Sequence, residues 1–343
     1  MKRSLGLALF FLLSLGAFAQ NGGSHAFSSL DIQPSARVAA AGGQLPAVRD
    51  GDLSLAIFNP ALLDSLTHKR VSLSYVNYFS GVNLGYAGYA HHLDSLGITV
   101  AGTLQYVNYG QFTERDITGL ETGNFSAGDY ALILGAAKPI DSLFTAGVNL
   151  KTVYSNLAGY NAWGMAVDGG VTYFNPERRF TAALVIRNLG FVANGFTDGE
   201  RDSLRTNVLI AFSKRLKHAP LRFSVVYDNI QQWDLTTGYE PQATIDPFSG
   251  EEVGGIRYPF ADNLMRHLTF GAEILLSDNL YLNIGYNYRR RQELKLNDRS
   301  GTAGLSYGLG FRINRFNIAY GRAIYHFAGP SNHFTLTTRL SDW

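Results

Sequence analysis

The feature that most constrains this 343-residue chain is an alternation of large apolar with small or polar side chains, one residue in two, recurring in fourteen segments from residue 69 onward. The segments are 70–79, 83–92, 96–109, 127–138, 142–154, 160–174, 178–189, 204–215, 220–232, 264–276, 279–291, 301–313, 315–327 and 332–341. Successive side chains of a strand point to opposite faces, so this period predicts strands with one apolar and one polar side. Leu280, Leu282, Ile284, Tyr286 and Tyr288 share one face, while Asn283, Gly285, Asn287 and Arg289 share the other. Leu305, Tyr307, Leu309 and Phe311 likewise oppose Ser306, Gly308, Gly310 and Arg312. Lys151, Asp168, Arg187, Arg222, Asp228, Glu273 and Arg312 all take the polar face.

Two all-β architectures alternate in this way. In a soluble sandwich or solenoid the apolar face is a packed core and the other face is densely charged. Here only 16% of residues are charged, and the polar face is rich in Gly, Ala, Ser and Thr, as a crowded barrel lumen would be. The sequence therefore predicts an all-β fold, a transmembrane antiparallel β-barrel of about 14 strands with an N-terminal plug segment. Connections alternate too. Those at 92–95, 139–141, 175–177, 217–219 and 277–278 are short, whereas 110–126, 190–203 and 234–263 are long. Short periplasmic turns and long external loops are the outer-membrane pattern, which puts both chain ends on the periplasmic side. Tyr75, Tyr106, Tyr109, Tyr154, Trp163, Tyr173, Tyr286, Tyr288 and Tyr325 gather toward strand ends, as interfacial girdles require. Phe334, Leu336, Thr338 and Leu340 are out of step with Trp343, so the last strand is bulged or ends before Ser341.

Residues 1–19 have the layout of a secretory signal: Lys2 and Arg3, an apolar run over 5–18, then Ala17-Phe18-Ala19 before Gln20. The run is too short to span a membrane, and cleavage is expected near Ala19/Gln20. Residues 20–68 differ in texture from the barrel region 69–343, with Ala39-Ala40-Ala41-Gly42-Gly43, three prolines and Phe58-Asn59-Pro60. A segment this small cannot bury enough apolar surface alone, so it is expected to fill the lumen, with a periplasmic tether as the alternative. Arg37, Gly42, Gly43, Asn59 and Pro60 are its candidate plug residues. Buried charges must be paired, so the lumenal charges are expected to form a network holding this plug. The chain has no cysteine and a net charge of +2, which exclude disulfides and thiolate metal sites and give no support for nucleic-acid binding.

Several motifs invite more than they support. Gly304-Leu305-Ser306-Tyr307-Gly308 matches the nucleophile-elbow pattern, but it lies within an alternating strand with no helix after it, and Ser306 points to the lumen. His91-His92 sits at a turn without further ligands at metal-site spacing. No catalytic, metal or cofactor-binding residue is therefore assigned. Arg289, Arg290 and Arg291 end a strand on the external side, where guanidinium forks suit either a solvated lip or lipopolysaccharide phosphates. Trp233, Tyr239 and Tyr258 lie on or beside the long 234–263 connection, a candidate partner-docking loop.

Four stretches carry a family resemblance: SARVAAAGGQLPAVRDGDLSLAIFNPALL (35–63), GDYALILGAAKPIDSLFTAGVNLKTVYSNL (128–157), FADNLMRHLTFGAEILLSDNLYLNIGYNYRRRQELK (260–295) and YGRAIYHFAGPSNHFTLTT (320–338). The first resembles the hatch of fatty-acid-transporter-like barrels. Together they resemble the PorV/PorQ family of type IX secretion barrels, with the closer match to PorQ-like members. The resemblance implies a non-enzymatic anchor for a PorZ-like surface protein, in an attachment complex with the peptidase PorU and the cargo-handling barrel PorV. It carries no functional-residue motif onto particular positions. The alternative is uptake of a hydrophobic small molecule, as in the fatty-acid-transporter relatives.

Overall fold

The computed structural model describes residues 26–196, 203–236, 244–245, 252–253, 259–277, 279–294, 302–326 and 329–342. The expected signal segment 1–19 lies outside them, as do Tyr239 and Tyr258. Fourteen strands form the wall: β1 (Arg70–Asn77), β2 (Asn83–Leu93), β3 (Ile98–Arg115), β4 (Glu121–Pro139), β5 (Phe144–Leu157), β6 (Tyr160–Asn175) and β7 (Phe180–Asn194). There follow β8 (Asn207–Arg215), β9 (Leu221–Tyr227), β10 (Leu268–Ser277), β11 (Leu280–Asn287), β12 (Leu305–Ile313), β13 (Phe316–His326) and β14 (Gly329–Arg339). Each pairs antiparallel with its neighbours, and β14 closes on β1 from Arg70↔Arg339 to Asn77↔Asn332. Closure satisfies the strand backbone internally, which lipid demands. No helix among the described residues is long and apolar enough to cross a membrane.

Burial is inverted relative to a soluble protein. On β11 Ile284 is 50% exposed, while Glu273 on β10, the partner of Asn283, and Lys151 on β5 are each 1% exposed. Apolar side chains face out and charges face in, as the period predicts. Ile284→Arg should therefore put a charge into lipid, at a cost of roughly 2–4 kcal/mol near the midplane. The expected result is loss of the folded, heat-modifiable band on unboiled electrophoresis, with Ile284→Phe keeping it. Equal tolerance of both would mean this face is not in lipid.

Several boundaries differ from the expectations. The 110–126 connection is mostly ladder: β3 and β4 stay paired from Gly110↔Ala127 to Arg115↔Glu121, with Phe112 and Phe125 stacked at 5.3 Å. Bulges let the hairpin continue past the point where the alternation breaks. The 220–232 segment leaves the sheet after Tyr227, and 264–276 begins as a helix. Arg289, Arg290 and Arg291 lie on a short helix rather than a strand end, because the Asn287 side chain accepts from the Arg290 N–H and caps it. The helices are α1 (Ala36–Ala40), α2 (Phe260–Arg266) and α3 (Tyr288–Glu293). Tyr109 also leaves the expected girdle, turning inward to donate to Asp129 at 2.8 Å. At the C-terminus the sheet stops at Arg339, before Ser341.

Residues 26–68 pack inside the barrel as α1 and a series of single turns, four of them capped by a side chain at their own N-terminus. Ser35 accepts from the Val38 N–H, Asp52 from Ser54, Asn59 from Ala61 and Asp64 from Leu66. Local capping explains how a proline-broken segment keeps one shape. Its apolar residues, among them Val38, Leu55, Phe58 and Leu62, share one cluster with Val76, Leu84, Val107 and Ile133 of the wall. The core of the molecule is therefore the plug-to-wall interface.

Candidate functional site

Inward-facing glycines make the seat for this plug. A Cβ on Gly147 would lie 2.5 Å from the Pro60 carbonyl carbon, and one on Gly170 would lie 2.3 Å from Asn59 Oδ1. One on Gly285 would lie 2.0 Å from the Gly42 nitrogen, and one on Gly321 2.1 Å from the Ala36 oxygen. The small residues of the polar face are thus sockets that let plug backbone touch strand backbone. Asn59 donates to the Pro46 carbonyl at 2.6 Å and to Thr172 Oγ1 at 3.0 Å. Gly42 and Gly43 turn the chain out of α1 with φ of 96° and 101°, a conformation that favours glycine. Ser306 accepts from the Gly42 N–H and donates to the Ala40 carbonyl, both at 2.9 Å, so the elbow-like motif pins the plug.

An ionic cluster ties the two parts together. The Arg37 guanidinium donates to Glu273 at 2.8 Å, to Asp50 at 2.7 Å and to Asp52 at 3.2 Å. Arg222 completes it, donating to Asp50 at 2.9 Å and to Glu273 at 2.7 Å. Two plug aspartates and one plug arginine thus interlock with a wall glutamate and a wall arginine. Burial alone would raise the Asp50 carboxyl, but Arg37 and Arg222 override it and hold the group well below the usual carboxylate range. Elsewhere Lys151 pairs with Asp168 at 2.7 Å within the wall, and Asn149 between them donates to the plug carbonyls of Ala56 and Ile57.

At the barrel end that carries the long 234–263 connection, the chain builds a rim. Tyr227, His267, Trp233 and Phe260 stack in series, with centroids 4.9, 5.6 and 4.9 Å apart, and leave Trp233 43% and Phe260 69% exposed. Asp262 of α2 accepts from Tyr288 of α3 at 2.6 Å and from Arg266 at 2.7 Å, joining the two helices. These contacts pull its carboxyl below its ordinary range against the opposing effect of burial. Arg289 lies 3.7 Å from Glu293, and Arg290 turns inward over the Tyr325 ring at 4.0 Å. Arg291 packs beside Gly304. The three arginines therefore do not act as one patch. Among the described residues no His, Asp and Glu group is placed to hold a metal.

The outer wall carries an apolar groove of about 860 Å³ across the first strands and β14. Gly85 and Ala87 form its floor between Leu73, Leu104, Trp163 and Phe334. Tyr106, Tyr130 and Tyr154 run along it with centroids 5.0 and 6.4 Å apart. Against the apolar side of the plug, by contrast, two cavities lined by described residues are about 10 Å³ each.

Sequence reasoning missed Asp50, Asp52 and the Trp233–Phe260 stack. A period-2 pattern says which face a residue takes but not which plug turn meets it. The only available signal was the density of acids beside Arg49, in Asp50-Gly51-Asp52.

No protein-family model matches the chain, and no curated protein matches it. Solved structures do. A TodX monoaromatic hydrocarbon channel carrying a deltaS2 mutation is similar at a TM-score of 0.52 and 14% identity, covering 90% of this chain and 97% of that one. A Pseudomonas aeruginosa FadL homologue aligns at a TM-score of 0.48 and 10% identity, over 89% and 98%. Acinetobacter baumannii Omp33 aligns at 0.36 and 7% identity, over 79% and 97%. The first likeness establishes the fold. The chain has the fold of an outer-membrane barrel, a closed antiparallel β-barrel of fourteen strands.

Proposed function

We propose that this barrel is a non-enzymatic anchor, the PorQ-like component of a type IX attachment complex. In this reading it is exported by a signal cleaved near Gln20 and holds a PorZ-like surface protein beside PorU and PorV. One observation carries the reading: the plug packs inside the wall, and the two cavities along its apolar side are only about 10 Å³ each. A filled barrel works through its surfaces. The Trp233 and Phe260 rings, exposed at the external rim, have the character of a docking anchor.

A second reading is favoured by the fold. The similar structure is a monoaromatic hydrocarbon channel, which supports reading this barrel as a channel for hydrophobic small molecules. The 860 Å³ groove supplies an apolar surface for such a guest, although on the outside of the wall.

Replacing 236–258 with a short Gly/Ser linker separates the two. Loop closure costs little, so the barrel should insert normally. On the anchor reading, co-purification of the surface partner and cargo attachment fall several-fold, while hydrocarbon uptake is unchanged. Normal retention and attachment would remove the loop from the reading. If deletion of the gene leaves attachment intact but abolishes uptake of a hydrophobic compound, the channel reading replaces the anchor.

A further inference from the structure

Among the described residues, four of the eight buried side-chain atoms that lack a hydrogen-bond partner belong to residues around one cavity. They are Gln44 Oε1, Arg187 Nε, Arg289 Nη1 and Arg290 Nη1. The cavity, of about 80 Å³, lies between the plug and the external ends of the strands. A single water needs on the order of 10–15 Å³ of such space, so a larger guest fits. Among the described residues, Arg187, Arg205, Arg289 and Arg290 line it against Asp31 and Asp228 alone.

Both aspartates are engaged. Asp31 lies 3.3 Å from Arg187, and Asp228 accepts from the Gln44 amide at 2.6 Å. Arg290 has no carboxylate within ion-pair distance among the described residues, and the Tyr325 ring fixes its plane at 4.0 Å. Arg187 is 3% exposed and held flat 3.8 Å over the Phe58 ring. Leaving buried guanidinium N–H groups unpaired is costly, so a cavity that collects them is built for an acceptor. These donors approach from the wall and from α3, which suits a tetrahedral oxyanion better than a planar carboxylate. Gln44 Oε1 also needs a donor, so the guest carries an O–H as well as anionic oxygens.

We propose that this cavity binds a phosphate group, as free hydrogen phosphate or as the phosphate of a sugar, clamped between the plug and α3. The proposal is independent of the anchor and channel readings, since either kind of barrel would use it to hold its plug against the external helices.

The test is calorimetric titration of the full barrel, in detergent and low salt, with inorganic phosphate. Saturable binding that weakens as sodium chloride rises is expected. Arg290→Gln should weaken it about tenfold or more, Arg290→Lys less, and Arg115→Gln, an exposed arginine on the β3–β4 hairpin, not at all. If Arg290→Gln does not fold, Arg205→Gln serves, since that side chain is exposed and its loss should still weaken binding. Glucose 1-phosphate and lipopolysaccharide form parallel arms: tighter binding of either assigns a sugar phosphate, and tightest binding of the inorganic ion assigns free phosphate. Absence of saturable binding, equal binding by Arg290→Gln, or sulfate binding as tightly as phosphate would overturn the proposal.

Discussion

Adding one methyl group at each of two wall glycines, Gly147→Ala with Gly285→Ala, is expected to unseat the plug and open the barrel. The new Cβ atoms would lie 2.5 Å from Pro60 and 2.0 Å from Gly42, in both cases against backbone, which cannot rotate away. Overpacking of a close-packed site costs about 1–3 kcal/mol, and the two sites engage different turns of the plug, so their effects should nearly add. The strands themselves accept alanine without losing a ladder hydrogen bond. The wall should therefore stay closed while its filling leaves. Side chains alone fill an eight-stranded barrel, and wider barrels keep an aqueous lumen when nothing occupies them. Planar-bilayer recordings should show stable open channels for the double variant where the parent shows few, and residues 26–68 should become sensitive to protease. Parental conductance with a protected plug would show that the sockets are not what seats it.

The wall was legible in the sequence because period 2 is a local property. Leu280 to Asn287 announces both its faces with no knowledge of its neighbours, and the β11 parity seen in the structure is the one the residues imply. The ends of strands were less legible, for a physical reason visible at β3 and β4. A bulge shifts parity without ending pairing, so the Gly110 and Glu114 irregularities read as a loop where the ladder in fact continues. Tyr288 to Glu293 fails in the opposite sense: the alternation runs on, but the Asn287 cap and a run of good helix formers turn it into α3. Which plug residue meets which wall residue was not legible. That Ser306 meets Gly42, 264 positions away, or that Glu273 meets Arg37, 236 away, depends on how a short capped segment is threaded through a closed wall. Polar parity shows only that Glu273 must find a partner inside.

Removing the Arg37 guanidinium should have the largest effect of any single side-chain change. Arg37→Ala leaves Glu273, 1% exposed, and Asp50 sharing Arg222 alone, and breaking a buried ion pair from one side costs roughly 3–5 kcal/mol. Replacing both charges with apolar side chains of similar volume, as in Arg37→Met with Glu273→Leu, should cost much less, because no bare charge is left inside. The acid response distinguishes a lock from a mere space-filler. Arg37 and Arg222 hold the Asp50 carboxyl below its unfolded value, so its stabilisation is fully present above about pH 4 and is lost as pH falls. In the parent, resistance of the plug to denaturant should therefore be level from pH 7 to about 5 and drop steeply in acid. Arg37→Ala should start lower at pH 7 and show a flatter acid limb, since Asp50 then has less to lose on protonation. Denaturant titrations followed by protease cleavage of residues 26–68 would measure both curves. An acid limb as steep in Arg37→Ala as in the parent would mean that Arg37 does not hold Asp50, and that the plug is kept in place by packing against the wall alone.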